Sequence, residues 1–287
     1  MPDSPKREVP AEEAVATAVI SAADPLFAAF LRRAGRFEAR PGEGDPFTSL
    51  SRAIVFQQLA GRAASAIYGR FVATIGGQVT ADAILGTAPE QLRGAGLSGN
   101  KTLSLIDLAT KVRDGTVPLD GIEALADEEI VARLTTVRGI GPWTAEMFLL
   151  FELGRPDVWP VDDLGVRHGW SLIHALPEMI KPRALQAEGE RFRPHRSTVA
   201  LYCWHAVHVE RGQVRARRPP GRVLVGPPLA ARGGLPAADL LDPERQDLDE
   251  GRVPVLGVAL AQAALERSDS RGGLVGPDEQ DLHPPQA

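Results

Sequence analysis

Residues 134–167 read LTTVRGIGPWTAEMFLLFELGRPDVWPVDDLGVR and hold the most informative pattern of the chain. Gly139 and Gly141 interrupt a helical pattern, and Pro142 suits the first position of a second helix. Glycine adopts backbone angles that other residues avoid, and without a Cβ it lets a ligand approach the main chain. The free N–H groups at the start of the second helix favour an anion. The pattern predicts two helices joined by a phosphate-binding hairpin, and the alternative is a tight turn between two packed helices.

A pair of aspartates lies at the start of a further predicted helix, in the segment WPVDDLG at 159–165. Asp162 is placed as the N-cap, and Asp163 then lies in the first turn, near the positive end of the helix. That environment favours an ionised carboxylate. The alternative is a pair that only caps a helix. Beside a phosphate-binding hairpin, the pair predicts a catalytic anion and its capping neighbour.

The rest of the chain is a succession of helical patterns separated by glycine and proline. Residues 11–31 predict a helix that Pro25 can break, Asp45 and Pro46 begin the next helix, and Gly61 separates it from its successor. Further helices are predicted at 81–93, 101–114, 127–137, 142–153, 162–175 and 196–211. Alternation typical of strands is scarce. The predicted fold class is all-α.

Composition narrows the class of protein. The 287 residues can bury a full core, and a single cysteine, Cys203, excludes an internal disulfide and a cysteine-ligated cluster. The chain has no apolar run of membrane-spanning length, and residues 1–9 are too charged and proline-rich for a signal peptide. We therefore expect a soluble cytoplasmic protein. The net charge of −5 argues against nucleic-acid binding through basic side chains, but a grip made by main-chain N–H groups does not need them.

The chain divides into three predicted regions: a disordered N-terminus at 1–10, a helical domain at 11–211 and a tail at 212–287. Residues 205–287 contain no Phe, Tyr, Trp or Lys, and glycine and proline supply 20 of the 76 tail residues. Such a segment has too little large apolar material to offset its ordering entropy, which predicts disorder. The alternative is a poorly packed extension, in which only 253–265 has a weak helical pattern.

Four motifs occur in an order that resembles the helix–hairpin–helix DNA glycosylase superfamily, in its 3-methyladenine DNA glycosylase II (AlkA-like) branch. They are RAIVFQQL at 52–59, GLSGNK at 96–101, GIGPWTA at 139–145 and PVDDLG at 160–165. The resemblance covers about residues 24–210 and implies two helical subdomains with the active-site cleft between them. Too few residues precede the first core helix for the β-rich N-terminal domain of AlkA itself.

The resemblance implies a monomer that flips alkylated bases (3-methyladenine and 7-methylpurines) out of double-stranded DNA and removes them, which initiates base-excision repair. It makes Asp163 the catalytic residue. A base alkylated at N3 or N7 is already cationic, so one carboxylate that stabilises the sugar oxocarbenium ion suffices. Members that also cleave the strand have a lysine at the position of Trp143, so the resemblance implies a monofunctional enzyme.

Further site residues follow from the same resemblance. The base pocket is expected to include Trp143, Gln57, Met147 and His195. Gln58 is expected to fill the gap left by the flipped base, and DNA contacts are expected at Lys101, Arg138, Gly139, Gly141 and Thr144. No cofactor is implied except a structural Na⁺ or K⁺ in the hairpin, held by the carbonyls of Thr135, Val137 and Ile140.

Several alternatives stay open. The chain could be a non-catalytic helix–hairpin–helix DNA-binding module, or a glycosylase for uracil, hypoxanthine or an oxidised purine. Trp143 could be an ordinary core residue, and His195 could lie on the surface. An ionised Asp163 favours the enzyme, because a pure DNA-binding module gains nothing from a carboxylate beside phosphates.

Overall fold

A computed structural model describes residues 11–34, 45–59 and 61–210. These residues form α-helices and short 3₁₀ helices, and no strand occurs among them, so the all-α prediction is confirmed. In the same part of the chain, none of the helices is both long and apolar enough to cross a membrane. The predicted disordered N-terminus, the tail at 212–287 and its weak helical pattern at 253–265 lie outside the described residues.

The α-helices are numbered along the chain. They are α1 (Ala11–Ala23), α2 (Pro25–Ala34), α3 (Pro46–Phe56), α4 (Gly61–Thr74), α5 (Ala81–Leu85), α6 (Pro89–Gly94), α7 (Gly99–Arg113), α8 (Asp127–Leu134), α9 (Pro142–Phe151), α10 (Leu164–Ile173), α11 (Pro182–Gly189) and α12 (Arg196–Glu210). Two 3₁₀ turns lie at Ile122–Ala124 and Glu190–Phe192.

Local signals explain where most helices begin. Asp45 caps α3 by accepting the N–H of Thr48 at 2.9 Å, and Pro46 follows as predicted. The predicted break at Pro25 is also present, because the Asp24 carboxylate accepts the N–H groups of Leu26 and Phe27 and starts α2.

Two helix predictions were wrong, and one helix was missed. The helix predicted at 81–93 is two helices, because the chain turns at Gly86 and Pro89 starts α6. The helix predicted at 127–137 ends at Leu134, since the hairpin begins one turn earlier than the apolar pattern suggested. Helix α11 was not predicted, because it is short, has no side-chain N-cap and buries only Leu185 and Gly189.

The helices pack in two groups, as the resemblance implied. Helices α1, α2 and α10–α12 form the first group, around Phe27, Trp170 and Phe192, whose ring centroids lie about 6 Å apart. Helices α3–α9 form the second group. The rings of Phe151 in α9 and Trp204 in α12 stack at 5.6 Å and join the two groups.

A buried carboxylate fixes the first group. Asp24 is 4% exposed and accepts His174 Nε2 and Arg191 Nη2, each at 2.8 Å. Burial acts to raise the pKa of Asp24, but the hydrogen bonds from His174 and the Phe27 N–H outweigh it and hold that pKa below its usual range. The cluster ties the start of α2 to the end of α10, which positions the helix that begins at Asp163.

Candidate active site

Asp163 lies where the two groups of helices meet. Its Oδ2 accepts the indole N–H of Trp143 from α9 at 2.9 Å, and its Oδ1 accepts the indole N–H of Trp204 from α12 at 2.8 Å. Oδ1 also accepts the N–H of Val166 at 2.8 Å. The carboxylate is 3% exposed and has its orientation fixed by three donors from three helices.

The capping assignment of the aspartate pair was wrong. Asp163, not Asp162, is the N-cap of α10, because Asp163 keeps extended backbone angles (φ −70°, ψ 122°) and helical geometry starts at Leu164. Asp162 is exposed and lies in the preceding turn, which the Asp163 N–H closes onto the Pro160 carbonyl at 3.1 Å. The N-cap and the carboxylate held by both tryptophans are therefore the same residue.

Trp204 is a site residue that sequence reasoning missed. It lies 41 residues from Asp163 in a helix with no motif of its own, so no local pattern identifies it. Gly165 makes its approach possible, because a Cβ at that position would lie 2.6 Å from Trp204 Cδ1. The glycine of the motif PVDDLG thus leaves space for an indole.

The electrostatics of Asp163 differ from the prediction. Burial raises the pKa of this carboxyl above its ordinary value, and the N–H groups of Val166, Trp143, Trp204 and Gly165 act in the opposite direction without cancelling it. The N–H groups at the helix start therefore stabilise the carboxylate as predicted, but their effect on the pKa of Asp163 is smaller than the effect of burial, which removes the charge from water. A cation beside Asp163 would lower this pKa and favour the ionised form.

Glu146 is a second carboxyl near the site, and sequence reasoning missed it as well. It lies one helical turn after Trp143, on the same face of α9. Burial first, and the nearby charges of Asp162 and Asp163 second, raise the pKa of Glu146 to about 7. This carboxyl changes charge close to neutral pH.

The predicted hairpin connects α8 to α9. Gly139 has φ +76°, and a Cβ there would lie 2.6 Å from Ser104 Oγ, so this position requires glycine. Gly141 is the N-cap of α9 in ordinary extended geometry (φ −94°, ψ 174°), and open space surrounds its Cα. Both glycines are exposed, and Pro142 starts the helix. The main chain of the hairpin is accessible, as a phosphate grip requires.

Side chains of α7 form hydrogen bonds to the main chain of the hairpin. Asp107 Oδ2 accepts the main-chain N–H of Arg138 at 2.7 Å and Lys111 Nζ at 2.8 Å, and Lys111 Nζ also donates to the Thr136 carbonyl. The guanidinium of Arg138 is exposed and donates to Asn100 Oδ1 at 3.3 Å. Arg138 therefore remains available for a phosphate.

The Gln57–Gln58 turn follows α3 and contacts the hairpin. Gln57 Nε2 donates to the Gly139 carbonyl at 2.9 Å, and Gln58 is exposed with φ +58°. Lys101 Nζ donates to the Val55 carbonyl at 2.7 Å, at the end of α3. Burial lowers the pKa of Lys101 to about 8. Lys101 was expected to contact DNA, but its ammonium donates to the protein main chain.

The remaining predicted residues are dispersed. Met147 is 2% exposed and belongs to the hydrophobic core. Thr144 is 6% exposed, so a DNA contact at this position would come from its main chain. His195 is partly buried and follows the cis peptide bond Arg193–Pro194. The structure brings Trp143 and Asp163 together, and it leaves the pocket roles of Met147 and His195 as predictions.

The proposed cation ligands are main-chain carbonyls of one short segment. Thr135 is the C-cap of α8, and the Val137 carbonyl accepts the Ile140 N–H at 3.1 Å, which leaves a second lone pair. Among the described residues no cluster of His, Cys, Asp or Glu could hold a metal. Neutral carbonyls fit a weakly held monovalent cation, whose role would be to stiffen the hairpin.

The fold and this site define a class of protein. Residues 51–194 match the HhH-GPD superfamily of base excision DNA repair proteins, and the chain belongs to this superfamily. The resemblance inferred from the four motifs is therefore confirmed.

The names of individual relatives are more specific than the name of the superfamily. DNA-3-methyladenine glycosylase 1 of Schizosaccharomyces pombe is 37% identical over 163 residues, which are 56% of this chain and 72% of that protein. DNA-3-methyladenine glycosylase of Saccharomyces cerevisiae is 35% identical over 147 residues, which are 48% of this chain and 50% of that protein.

Two solved structures are also similar. The 3-methyladenine DNA glycosylase of S. pombe in complex with abasic DNA has a TM-score of 0.60 and 35% identity, and the match covers 66% of this chain and 95% of that one. DNA-3-methyladenine glycosidase of Bacillus halodurans has a TM-score of 0.64 and 33% identity, over 70% of this chain and 92% of that one.

Proposed function

We propose that this chain is a monofunctional DNA glycosylase that hydrolyses the N-glycosidic bond of alkylated bases, 3-methyladenine and 7-methylpurines among them, as the first step of base-excision repair. One observation supports this most strongly: a buried carboxylate, Asp163, is held by two indole N–H groups beside an accessible hairpin. The relatives named 3-methyladenine DNA glycosylase support the substrate class.

The reaction needs little from the protein beyond this carboxylate. Water adds to C1′ of the sugar while the C1′–N bond breaks, and the bonding electron pair neutralises the cationic base. The proton from water passes to Asp163 or to solvent. The positive charge of the lesion favours the ionised form of Asp163, and that charge then stabilises the oxocarbenium ion as the base leaves.

Trp143 would orient the Asp163 carboxylate and select for cationic bases. Its indole N–H is bound to Asp163 Oδ2, so its ring is fixed next to the carboxylate. An electron-rich ring face attracts a cationic base by about 1–2 kcal/mol when desolvated. Because the position holds tryptophan and not lysine, no Schiff base forms there, and the abasic strand is left intact. The protein would act as a cytoplasmic monomer.

Base release from methylated duplex DNA tests the proposal, with and without alkali to cleave abasic sites. Asp163→Asn should lower the single-turnover rate by at least about 100-fold, because it removes the charge that stabilises the transition state. Asp162→Asn, the matched control, should stay near wild type, since Asp162 is exposed and caps nothing. Equal losses in the two variants, or a borohydride-trapped adduct with wild type, would overturn the mechanism.

A second candidate function has its own observation. Glu146 lies one turn after Trp143 on the same face of α9, and burial raises the pKa of its carboxyl to about 7, so it would hold a proton in part of the molecules at neutral pH. A proton donor is what departure of a neutral base such as hypoxanthine requires. Release of hypoxanthine by wild type and its loss in Glu146→Gln, with 3-methyladenine release unchanged, would support this wider range.

A further inference from the structure

Gln57 connects two parts of the DNA-binding surface that come from distant positions in the sequence. Its side-chain amide donates to the Gly139 carbonyl at 2.9 Å, so the turn after α3 is bonded to the hairpin between α8 and α9. The Gly139 peptide is itself held in left-handed geometry against Ser104. The Gln57 donor is therefore directed at the hairpin and not at a base pocket.

The neighbouring residue has a strained backbone. Gln58 has φ +58°, a conformation that non-glycine residues keep only where the surrounding structure enforces it. Contacts hold the turn around it. Lys101 Nζ donates to the Val55 carbonyl at the end of α3, Gln57 Nε2 donates to the hairpin, and the Leu59 N–H closes the turn onto the Phe56 carbonyl at 3.3 Å. The exposed side chain of Gln58 is thus presented from a turn whose preceding residues are bonded to the rest of the protein.

We propose that Gln57 is a positioning residue that couples the hairpin to the Gln58 turn, so that phosphate binding by the hairpin sets the turn for insertion into the duplex. This inference rests on the proposed function, because insertion matters only if a base is flipped. It differs from the pocket role expected for Gln57. Binding of the hairpin orients the Gly139 peptide, that peptide orients the Gln57 amide, and the amide orients Gln58.

The proposal separates two activities that a merely structural Gln57 would lose together. Without its amide donor, the hairpin is intact and still binds undamaged duplex. Only the step that fills the gap in the base stack is impaired. A lesion that is already unpaired, as in a bulge, needs no insertion and is insensitive to the coupling.

Gln57→Met removes the donor and keeps the length of the side chain. We expect its single-turnover excision from a paired duplex to fall about tenfold, the effect of one lost hydrogen bond. Its affinity for undamaged duplex and its excision of the same lesion from a bulge should stay within about twofold of wild type. Gln57→Leu, which is uncharged and cannot donate to a carbonyl, should behave in the same way and serves if the methionine variant does not fold.

A double-mutant cycle tests whether Gln57 acts through Gln58. In the background of Gln58→Ala, adding Gln57→Met should cause no further loss on paired duplex, because the residue that it positions is already gone. Additive losses, equal losses on paired and bulged DNA, or no loss on either would overturn the coupling. If wild type excises from neither substrate, the proposed function fails. Coupling is then read from fluorescence of 2-aminopurine beside the lesion, which should rise on binding of wild type and not of Gln57→Met.

Discussion

Glu146→Gln should stabilise the protein at neutral and alkaline pH. In the folded chain this carboxyl is held in α9 close to Asp162 and Asp163, and burial, followed by those two charges, raises the pKa of Glu146 to about 7 from its ordinary value of 4.5. The charged form is therefore disfavoured by folding. Glutamine keeps the size and polarity of the protonated acid and cannot become charged.

The sign and size follow from proton linkage. Between pH 4.5 and about 7 the folded state keeps a proton that the unfolded state releases, so the free energy of unfolding falls as the pH rises. At about 1.4 kcal/mol for each pH unit between the two pKa values, the loss amounts to about 3 kcal/mol. Wild type and Glu146→Gln should have similar stability near pH 4.5 and differ by about 3 kcal/mol at pH 8.

Urea unfolding followed by far-ultraviolet circular dichroism, at half-unit steps from pH 4.5 to 8, measures the effect. Asp163 also has a raised pKa, so it too lowers the free energy of unfolding as the pH rises. The effect of Glu146 is therefore taken from the difference in the free energy of unfolding between wild type and Glu146→Gln at each pH. Glu178→Gln, in an exposed loop, controls for the substitution itself. A difference between wild type and Glu146→Gln that does not change with pH would refute the reasoning.

Three further outcomes follow from the site. Trp204→Phe removes a donor from Asp163 Oδ1, so the pKa of Asp163 should rise further, and the acid limb of the excision pH profile should move to higher pH; an unmoved limb would argue against the contact. Gly165→Ala should lower the thermal unfolding midpoint and the excision rate together, since the new methyl overlaps Trp204; Gly141→Ala, in open space, is its control for stability. Arg138→Ala should reduce the slope of log affinity for DNA against log salt concentration by about one. Lys101→Met should leave this slope unchanged, because the Lys101 ammonium binds a main-chain carbonyl. A larger change for Lys101→Met than for Arg138→Ala would make Lys101 a phosphate contact, as first expected.

The sequence was sufficient for features that depend on neighbours along the chain. Glycine and proline punctuation located the hairpin and the start of α9, and Asp45 with Pro46 located the start of α3. Apolar spacing identified an all-α domain. The N-cap of α10 was misassigned by one residue, because both Asp162 and Asp163 have the chemistry of a cap and only backbone geometry distinguishes them.

Features that depend on packing between distant segments were not predictable. The contacts of Trp204 with Asp163 and of Gln57 with Gly139 join positions 41 and 82 residues apart, and nothing near either residue indicates its partner. The raised pKa of Glu146 likewise depends on burial that a helix pattern does not reveal. Lys101 was predicted as a DNA contact, because its motif gives no sign that the end of α3 lies within its reach.

The position of Asp163 between two tryptophans makes the reactive geometry depend on tertiary assembly. Trp143 belongs to one group of helices and Trp204 to the other, so the carboxylate is oriented only when both groups are docked. The hairpin and the residues that hold it lie within one group. Separation of the two groups would therefore remove the orientation of the carboxylate without breaking the hydrogen bonds that hold the hairpin, so docking of the two groups is a condition for breaking the glycosidic bond.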